Sequence, residues 1–358
     1  MGFSAQRPRK GGHSPFAAGS SKRCKARHSN PAPAVQQDSL PSASLPPAPS
    51  YHAGMFSYRH AFHAGNHADV LKHITLLATL RHLMRKDSPL LLVDTHAGAG
   101  IYRLDADAAQ TSGEAGAGIA RLQALAAIDT EADALADYLA LVARFNPDAR
   151  GAWRVYPGSP LLMHTLMSEP ARAPVHDRLR LFELHPTDAQ ALQAHIEQLK
   201  AGRQVTMARQ DGFEGLKALL PPPPAAGGSR RALVLIDPSY EIKSDYARVA
   251  TAVQDALKRF ATGVLLVWYP VIARPEAHGL PRRLKTLAQQ AGRGWLHATL
   301  HVGAAAAGAG LSASGMFVVN PPHTLKAALE AALPPVLQAL GAGRGRGQAW
   351  SVEAGDGR

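Results

Sequence analysis

The sequence predicts an α/β protein with a doubly wound, mostly parallel sheet. Apolar runs typical of strands alternate with amphipathic stretches typical of helices. The runs are apolar at successive positions, as expected of strands covered on both faces. Strands are predicted at 90–93, 179–186, 204–213, 231–240, 262–270 and 313–322, with helices at 187–200, 245–260 and 281–291.

Before the first strand, a helix is predicted from Asn66 to about residue 86. Asn66 can cap it, Asp69 stands three positions later as in a capping box, and Val70 and Ile74 begin its buried stripe. About 85 residues separate the first two strands, far more than one crossover needs. The Ala- and Leu-rich segment 103–150 is therefore predicted to be an inserted helical subdomain.

Composition and charge limit the class of protein. The formal net charge is +12, which suits a polyanionic partner such as nucleic acid. No apolar run approaches the roughly 20 residues that span a bilayer, so no membrane segment is expected. The single cysteine, Cys24, excludes a disulfide within the chain and agrees with a reducing cytosol.

The chain is predicted to have three parts. Residues 1–54 are rich in Ser, Pro, Ala, Gly and Arg without a hydrophobic period, which indicates a disordered basic extension. Met55 would be the natural start if this extension is not translated. A catalytic domain is expected over 55–352, followed by a flexible tail, 353–358.

Polar and glycine residues follow the predicted strands. In open α/β sheets ligands bind outside the carboxyl ends of the strands, and acidic residues end four of these strands. A glycine-rich turn followed by such carboxylates favours an adenosine-type ligand. The residues concerned are Asp94, His96, Gly98 and Gly100, then Glu183, then Asp211 and Gly212, then Asp237, Pro238 and Tyr240. The first turn lacks the third glycine of GxGxxG, which disfavours a pyrophosphate cofactor.

The stretch "IDPSY" (236–240) is the most informative motif. It resembles the (D/N)PP(Y/F) motif of amino-group methyltransferases, which methylate adenine N6 or cytosine N4. The lone pair of such an amine is delocalised into the ring. Asp237 and the carbonyl of Pro238 can accept its hydrogens, and Asp237 can then take the departing proton. Tyr240 offers a face on which an extruded base can stack.

Residues 55–352 as a whole resemble the 23S ribosomal RNA adenine-N6 methyltransferases called RlmJ. The resemblance rests on ordered blocks: "YRHAFHAGNHADVLKH", "DTHAGAG", "YPGSP", "ELHP", "QDGF", "IDPSYEIKSDY", "KRFATG", "WYPV" and "ASGMFVVNPP". It implies a Rossmann-like class I fold, S-adenosylmethionine (SAM) as cofactor, and methylation of a flipped adenine in 23S rRNA (adenine 2030 in the family's naming). A cytoplasmic monomer acting on protein-free rRNA or an early assembly intermediate is expected.

The resemblance also implies roles for individual residues. Asp237, Pro238 and Tyr240 would be catalytic, with Asp237 the proton acceptor. Substrate contacts would fall on Tyr58, His60, Lys72 and Tyr240. Cofactor contacts would fall on His73, His96, Gly98, Gly100, Ser159, Glu183, Asp211, Gly212 and Asp237. Within this set, Glu183 would bind the ribose and Asp211 the adenine amine.

Two departures from the family pattern leave alternatives open. Ser239 replaces the second proline of the motif, and residues 1–54 have no counterpart. The chemical groups of Asp237, Pro238 and Tyr240 remain, so we expect activity to survive. A DNA adenine-N6 methyltransferase and a catalytically inactive RNA-binding protein are the competing functions.

Four histidines, His60, His63, His67 and His73, are spaced like metal ligands. No cysteine lies nearby, Gly65 and Asn66 interrupt the helical spacing, and the family does not use metal, so no metal site is expected. The stretch is instead predicted to hold a mobile lid around 58–63 and a helix edge. On that edge the side chain of His73 would point inward to the cofactor, and the side chain of Lys72 would point elsewhere.

Overall fold

The computed structural model describes residues 60–127, 133–147, 151–225, 228–304 and 311–357. The chain divides into two units, Met1–Tyr51 and His52–Arg358, and every described residue belongs to the second. The predictions for the 1–54 extension, for the start at Met55 and for Tyr58 concern residues outside the described ranges.

The strands and helices alternate along most of the chain. The strands are β1 (Leu91–Asp94), β2 (Ile101–Arg103), β3 (Val155–Pro157), β4 (Arg178–Phe182), β5 (Val205–Ala208), β6 (Ala232–Ile236), β7 (Val264–Pro270), β8 (Trp295–Val302), β9 (Ala313–Val319) and β10 (Gln348–Gly355). The helices are α1 (His67–Leu83), α2 (Asp107–Ser112), α3 (Glu114–Ala117), α4 (Ile119–Gln123), α5 (Asp133–Arg144), α6 (Ser159–Met167), α7 (Pro186–Leu199), α8 (Gly212–Leu219), α9 (Ser244–Arg259), α10 (Pro275–Gln290) and α11 (Leu325–Gly341).

Eight strands form one sheet in the order β10-β8-β9-β7-β6-β1-β4-β5. The five neighbours β7, β6, β1, β4 and β5 are parallel. Strand β9 lies antiparallel between β7 and β8, and β10 pairs antiparallel with β8. The predicted doubly wound, mostly parallel α/β sheet is confirmed, and the parallel strands all end at one edge.

The sheet is covered on both faces because its central strands are apolar on both faces. Every residue of β6 and β9 is buried. One hydrophobic cluster joins the sheet to residues of α1, α6, α7 and α11, and a second joins it to residues of α8, α9 and α10. This two-sided core fixes the strand ends relative to one another, and that edge carries the polar residues.

Helix α1 begins as its sequence predicts. The side chain of Asn66 accepts hydrogen bonds from the backbone N–H groups of Ala68 and Asp69, at 2.9 and 3.0 Å. The carboxylate of Asp69 instead accepts from the N–H of Gly65, at 2.8 Å, so the reciprocal bond of a capping box is replaced by one to the preceding residue. Most of α1 is buried, including Lys72 and His73.

The chain between β1 and β4 forms a separate helical region. Helices α2 to α5 lie between β2 and β3, and these two short strands pair antiparallel. This is the stretch in which the sequence predicts an insertion at 103–150. The antiparallel pairing of β2 with β3 joins the two ends of this helical region. The sequence does not predict these strands, because three residues are too few to show a strand pattern.

Several elements depart from the sequence prediction. Strand β8, helix α11 and strand β10 were not predicted. Helix α10 begins at Pro275 rather than at 281. The prediction placed its start at Pro281, a residue type typical of the first turn of a helix, but here Pro281 lies inside the helix. The flexible tail predicted at 353–358 is wrong for 353–355. Those residues continue β10 and pair with 295–297 of β8, since backbone hydrogen bonds to a neighbouring strand do not require apolar side chains.

No helix in the described part of the chain is long and apolar enough to cross a membrane.

Candidate active site

A cavity of about 480 Å³ opens where the parallel strands β1, β4, β5 and β6 end. Cavities of this size hold ligands as large as a nucleoside cofactor. The structure brings together here nearly all the described residues that the sequence predicts for the site. The lining includes His60, Lys72, His73, His96, Gly98, Ser159, Glu183, Asp211, Gly212, Asp237, Pro238 and Tyr240. Gly100 is the exception.

The turn after β1 depends on two glycines with positive φ. Gly98 has φ +60°, and a Cβ there would lie 2.2 Å from the hydroxyl of Tyr102. Gly100 has φ +82°, and a Cβ there would meet Leu161 and Leu192 at 2.9 Å. Gly98 therefore exposes backbone to the cavity, whereas Gly100 lets the turn pack against α6 and α7.

Glu183, directly after β4, is held by two backbone N–H groups. Its carboxylate accepts from Gly98 at 2.8 Å and from His185 at 2.7 Å. Burial raises the pKa of Glu183, and these two hydrogen bonds oppose the rise. A carboxylate has about four acceptor sites, so Glu183 retains capacity for hydroxyl donors in the cavity.

Asp211 caps α8 at the end of β5. One oxygen accepts from the N–H groups of Phe213 and Glu214, and the other pairs with Arg248. Burial would raise the pKa of Asp211, but Arg248 lowers it below its usual value. Gly212 is required next because a Cβ would lie 1.9 Å from the carbonyl oxygen of Thr95.

Asp94, the last residue of β1, supports two lining residues from behind. Its carboxylate accepts from the Ser159 hydroxyl at 2.6 Å and from the His96 N–H at 3.2 Å. Burial raises the pKa of Asp94 to about 6 despite the Ser159 hydrogen bond. Burial also lowers the pKa of His96 to about 3, so this imidazole is neutral at pH 7.

Asp237, directly after β6, forms an ion pair with Lys72 of α1. The Lys72 Nζ lies 2.6 Å from Asp237 Oδ2 and 2.8 Å from Asp69 Oδ1. Burial alone would lower the pKa of Lys72, but the charges of Asp237 and Asp69 raise it well above its usual range. Burial raises the pKa of Asp237, and Lys72 opposes this. The prediction that Lys72 points away from His73 is wrong, because both line the cavity.

The Pro238–Ser239–Tyr240 turn forms the wall beside Asp237. Tyr240 has φ +55°, is 2% exposed, and donates its hydroxyl to the carbonyl of Trp268 at 2.7 Å. Its ring packs against Tyr246 and Trp268. The ring is therefore fixed, and the face expected to stack a base lies within the cavity wall. Ser239 is exposed at the rim.

The four clustered histidines have separate surroundings. His60 lies 3.0 Å from Asp69, His63 lies 3.0 Å from Glu114, and Nδ1 of His73 lies 2.8 Å from the hydroxyl of Tyr156. His67 is buried, and burial lowers its pKa to about 4. Among the described residues, no group of three or more His, Cys, Asp or Glu side chains is arranged to hold a metal ion.

The polar groups of the cavity fit SAM. Its ammonium, ribose hydroxyls and adenine amine are donors, and Glu183 and Asp211 present carboxylate acceptors. Nε2 of His73 is buried and has no hydrogen-bond partner in the described chain, so it is available to a polar group of a ligand. Burial lowers the pKa of His73 to about 3, which leaves a neutral ring beside a cationic cofactor.

Comparison with known proteins decides the family. The family model for "Ribosomal RNA large subunit methyltransferase D, RlmJ" matches residues 87–352. The chain belongs to this family. It is therefore a SAM-dependent ribosomal RNA methyltransferase, and the recognition made from the sequence blocks, with its cofactor, is confirmed.

Individual RlmJ relatives are similar over most of their length. The chain is 41% identical to Ribosomal RNA large subunit methyltransferase J of Escherichia coli, over 78% of this chain and 92% of the relative. It is 39% identical to the Haemophilus influenzae protein of the same name, over 84% and 98%. The crystal structure of protein LPL1258 from Legionella pneumophila superimposes with a TM-score of 0.68, at 30% identity over 82% and 98%.

Sequence reasoning assigned no role at this RlmJ site to four of its residues. Asp94 acts on the lining residue Ser159 from a buried position, whereas Asp69, Arg248 and Arg274 line the cavity themselves. Asp94 had a signal, since it ends the first strand. The roles of Asp69, Arg248 and Arg274 depend on contacts between distant segments, for which the sequence carries no local pattern.

Proposed function

We propose that this RlmJ-family protein methylates the exocyclic N6 amine of one adenine in 23S rRNA, the position called adenine 2030 in the family. The observation that carries the proposal is the Asp237–Pro238–Ser239–Tyr240 turn in the wall of the cavity that fits SAM. An amine-directed motif beside a methyl donor supports transfer to nitrogen, and Tyr240 supports an extruded purine as the substrate.

Asp237 acts as the hydrogen-bond acceptor and proton acceptor. Its Oδ1 accepts no hydrogen bond from a described residue, and neither does the carbonyl of Pro238, so both can receive the two amine hydrogens. This geometry draws the N6 lone pair out of conjugation. When bound, SAM supplies an electrophilic methyl group on a sulfonium. Asp237 would accept the proton that N6 loses when it receives this methyl group.

Lys72 keeps Asp237 ionised before the transfer. Burial raises the pKa of Asp237, which would leave a neutral acid unable to accept a proton, and the ammonium 2.6 Å away opposes this. Asp69 in turn holds Lys72 from the other side, at 2.8 Å. Lys72 therefore acts through Asp237 as a positioning residue. The direct contact with substrate that the family resemblance implies for Lys72 would require it to leave a buried ion pair.

The cofactor contacts follow from the strand ends. Glu183 would accept the ribose hydroxyls and Asp211 the adenine amine, while the Gly98 turn, Ser159, His73 and His96 would surround the methionine end. Gly100 shapes this turn from behind rather than touching the ligand. His60 lies 3.0 Å from Asp69 in the lining of the cavity, where it would contact the base.

The proposal is tested by incubating the purified protein with methyl-labelled SAM and protein-free 23S rRNA, then identifying the labelled nucleoside by mass spectrometry. The expected product is N6-methyladenosine at one position. Transfer to duplex DNA but not to rRNA would support the DNA methyltransferase instead. Cofactor binding without transfer to either would support the inactive RNA-binding protein.

The protein is proposed to act as a monomer in the cytoplasm, on protein-free rRNA or an early assembly intermediate. One chain supplies both the cofactor contacts and the catalytic turn, which supports the monomer. A single species at the monomer mass that retains full activity in sedimentation and assay would agree with this, whereas activity that rises with dimerisation would contradict it.

A further inference from the structure

The walls of the cavity carry many more acidic than basic side chains. Eight carboxylates line it: Asp69, Glu114, Glu183, Asp188, Asp211, Asp237, Glu241 and Asp245. Among the described residues, three lysine or arginine side chains line it: Lys72, Arg248 and Arg274. An RNA phosphate that follows its base to this cavity would meet net repulsion, which grows in a site of low dielectric constant. The RNA strand therefore needs a cationic side chain at the mouth of the cavity.

Two of the three cations are already neutralised. Lys72 contacts both Asp69 and Asp237. Arg248 pairs with Asp211 and lies 3.6 Å from Asp245, and its guanidinium also covers the ring of Phe213. Releasing either cation to a phosphate would leave a carboxylate unpaired, which is costly when the group is buried.

Arg274 differs from both. It is half-buried in the cavity wall and has no carboxylate within 4.0 Å among the described residues. One of its nitrogens makes a long hydrogen bond, 3.4 Å, to the carbonyl of Tyr240, and the guanidinium also lies near the phenol of Tyr246. The nearby Glu276 does not pair with it. A guanidinium has five N–H donors, so most of them remain available.

The position of Arg274 relates it to the catalytic turn. It donates to Tyr240, the last residue of that turn, and its charge lies close enough to Tyr246 to oppose the rise that burial causes in the pKa of that phenol. Tyr246 packs on Tyr240 at 4.6 Å between ring centroids. The guanidinium thus lies beside Tyr240, the residue expected to stack on the base, and it lines the same cavity.

We propose that Arg274 binds a backbone phosphate of the RNA strand next to the target adenine. The planar guanidinium can contact two phosphate oxygens at once, which fixes the orientation of the strand as well as its charge. This inference rests on the proposed function, because it requires a nucleotide in the cavity. It makes Arg274 a substrate-binding residue that positions the base over Asp237.

The test combines a protein variant with a modified substrate. Wild-type protein and Arg274→Gln are assayed on an RNA fragment that contains the target adenine, with each of the three nearest phosphates replaced in turn by a neutral methylphosphonate. We expect Arg274→Gln to lower kcat/KM about tenfold, the usual loss for one hydrogen-bonded charge. One methylphosphonate should lower wild-type kcat/KM by a similar factor and leave the variant unchanged.

The matched control is Arg283→Gln, which removes an equal charge from an exposed position of α10 outside the cavity lining. It should respond to every methylphosphonate as the wild type does. Binding of SAM and the melting temperature of Arg274→Gln should match the wild type.

Two results would overturn the inference. The first is an unchanged kcat/KM for Arg274→Gln. The second is that each of the three methylphosphonates lowers kcat/KM of Arg274→Gln by the same factor as that of the wild type. Arg274 would then only support Tyr240 and would not bind a phosphate. Wild-type protein that methylates no adenine in this RNA would instead overturn the proposed function, and the inference with it.

Discussion

The two halves of the proposed active site, its cofactor side and its catalytic side, hold their carboxylates in different ways. On the cofactor side, Glu183 and Asp211 accept hydrogen bonds from backbone N–H groups within the turns that follow their strands. On the catalytic side, Asp237 depends on an ammonium from α1, a residue 165 positions away. The first arrangement is local and persists as long as the turns do. The second is an ion pair between two packed elements.

This contrast has a functional consequence. Backbone donors leave a carboxylate able to accept from ribose and amine groups at any stage, which suits a cofactor site. A side-chain ammonium can both sustain the charge of a buried carboxylate and move when a proton arrives, which suits a proton acceptor. Changes on the catalytic side should therefore lower the rate, and changes on the cofactor side should weaken binding.

The largest effect is expected for Asp237→Ala. Loss of the acceptor should lower the single-turnover rate of methyl transfer by roughly a thousandfold or more. The dissociation constant of SAM should change little, since Glu183 and Asp211 remain. Rapid-quench assays with calorimetric SAM titration measure both quantities. An active variant would refute the role of this carboxylate.

Lys72→Met should lower the rate roughly a hundredfold, because Asp237 loses the charge that keeps it ionised. Without Lys72 the pKa of Asp237 rises further, so the acidic limb of the rate–pH profile should move to higher pH. Removing the ammonium from the buried Asp237 should also lower the free energy of unfolding by roughly 3–5 kcal/mol. Chemical denaturation and a pH–rate series measure these changes.

Lys72→Arg is the control for that variant, because it retains the positive charge. The acidic limb should stay near its wild-type position even if the rate falls through altered geometry. If Lys72→Met and Lys72→Arg give the same pH profile, the ammonium does not set the protonation of Asp237.

Glu183→Gln should weaken SAM binding about tenfold. An amide has a single oxygen, so it cannot accept from both Gly98 and His185 as the carboxylate does while also accepting from the ribose hydroxyls. The rate at saturating SAM should stay close to the wild-type value. Equal losses in kcat and in affinity would contradict the separation between the two halves. The matched comparison is Asp237→Ala, which should show the opposite pattern.

The smallest effect is expected for Ser239→Pro, which restores the family motif. The side chain is exposed and Asp237, Pro238 and Tyr240 keep their groups, so kcat should change by no more than about threefold. A stiffer turn should raise stability by about 0.4–1 kcal/mol if the backbone already suits proline. Ser239→Ala separates loss of the hydroxyl from gain of the ring. Loss of activity in Ser239→Pro alone would show that the turn must move.

The same contrast explains how much of the structure could be predicted. The parallel strands and the glycine turn carry local patterns, and nearly all the described residues named from those patterns line one cavity. Strands β8 and β10 lie in the antiparallel part of the sheet, where β10 is mostly exposed and lacks an apolar run. The Lys72–Asp237 pair and the position of Arg274 beside Tyr240 arise only when distant segments pack, so no local pattern could reveal them.

The histidine-rich start of α1 illustrates the limit most clearly. Its spacing imitates a metal site, yet the rings meet Asp69, Glu114 and Tyr156 on separate sides. In the proposed mechanism the main residue of this stretch is Lys72, which was expected to contact the substrate rather than to pair with Asp237. A buried lysine between two carboxylates became recognisable only with the positions of β6 and α1 known.

The central claim is tested most directly by mass-spectrometric mapping of N6-methyladenosine in 23S rRNA from cells with and without this protein. The account predicts one N6-methyladenosine that disappears without the protein, returns with the wild-type gene and does not return with Asp237→Ala. The same modification in both rRNA samples, or its return with Asp237→Ala, would contradict it.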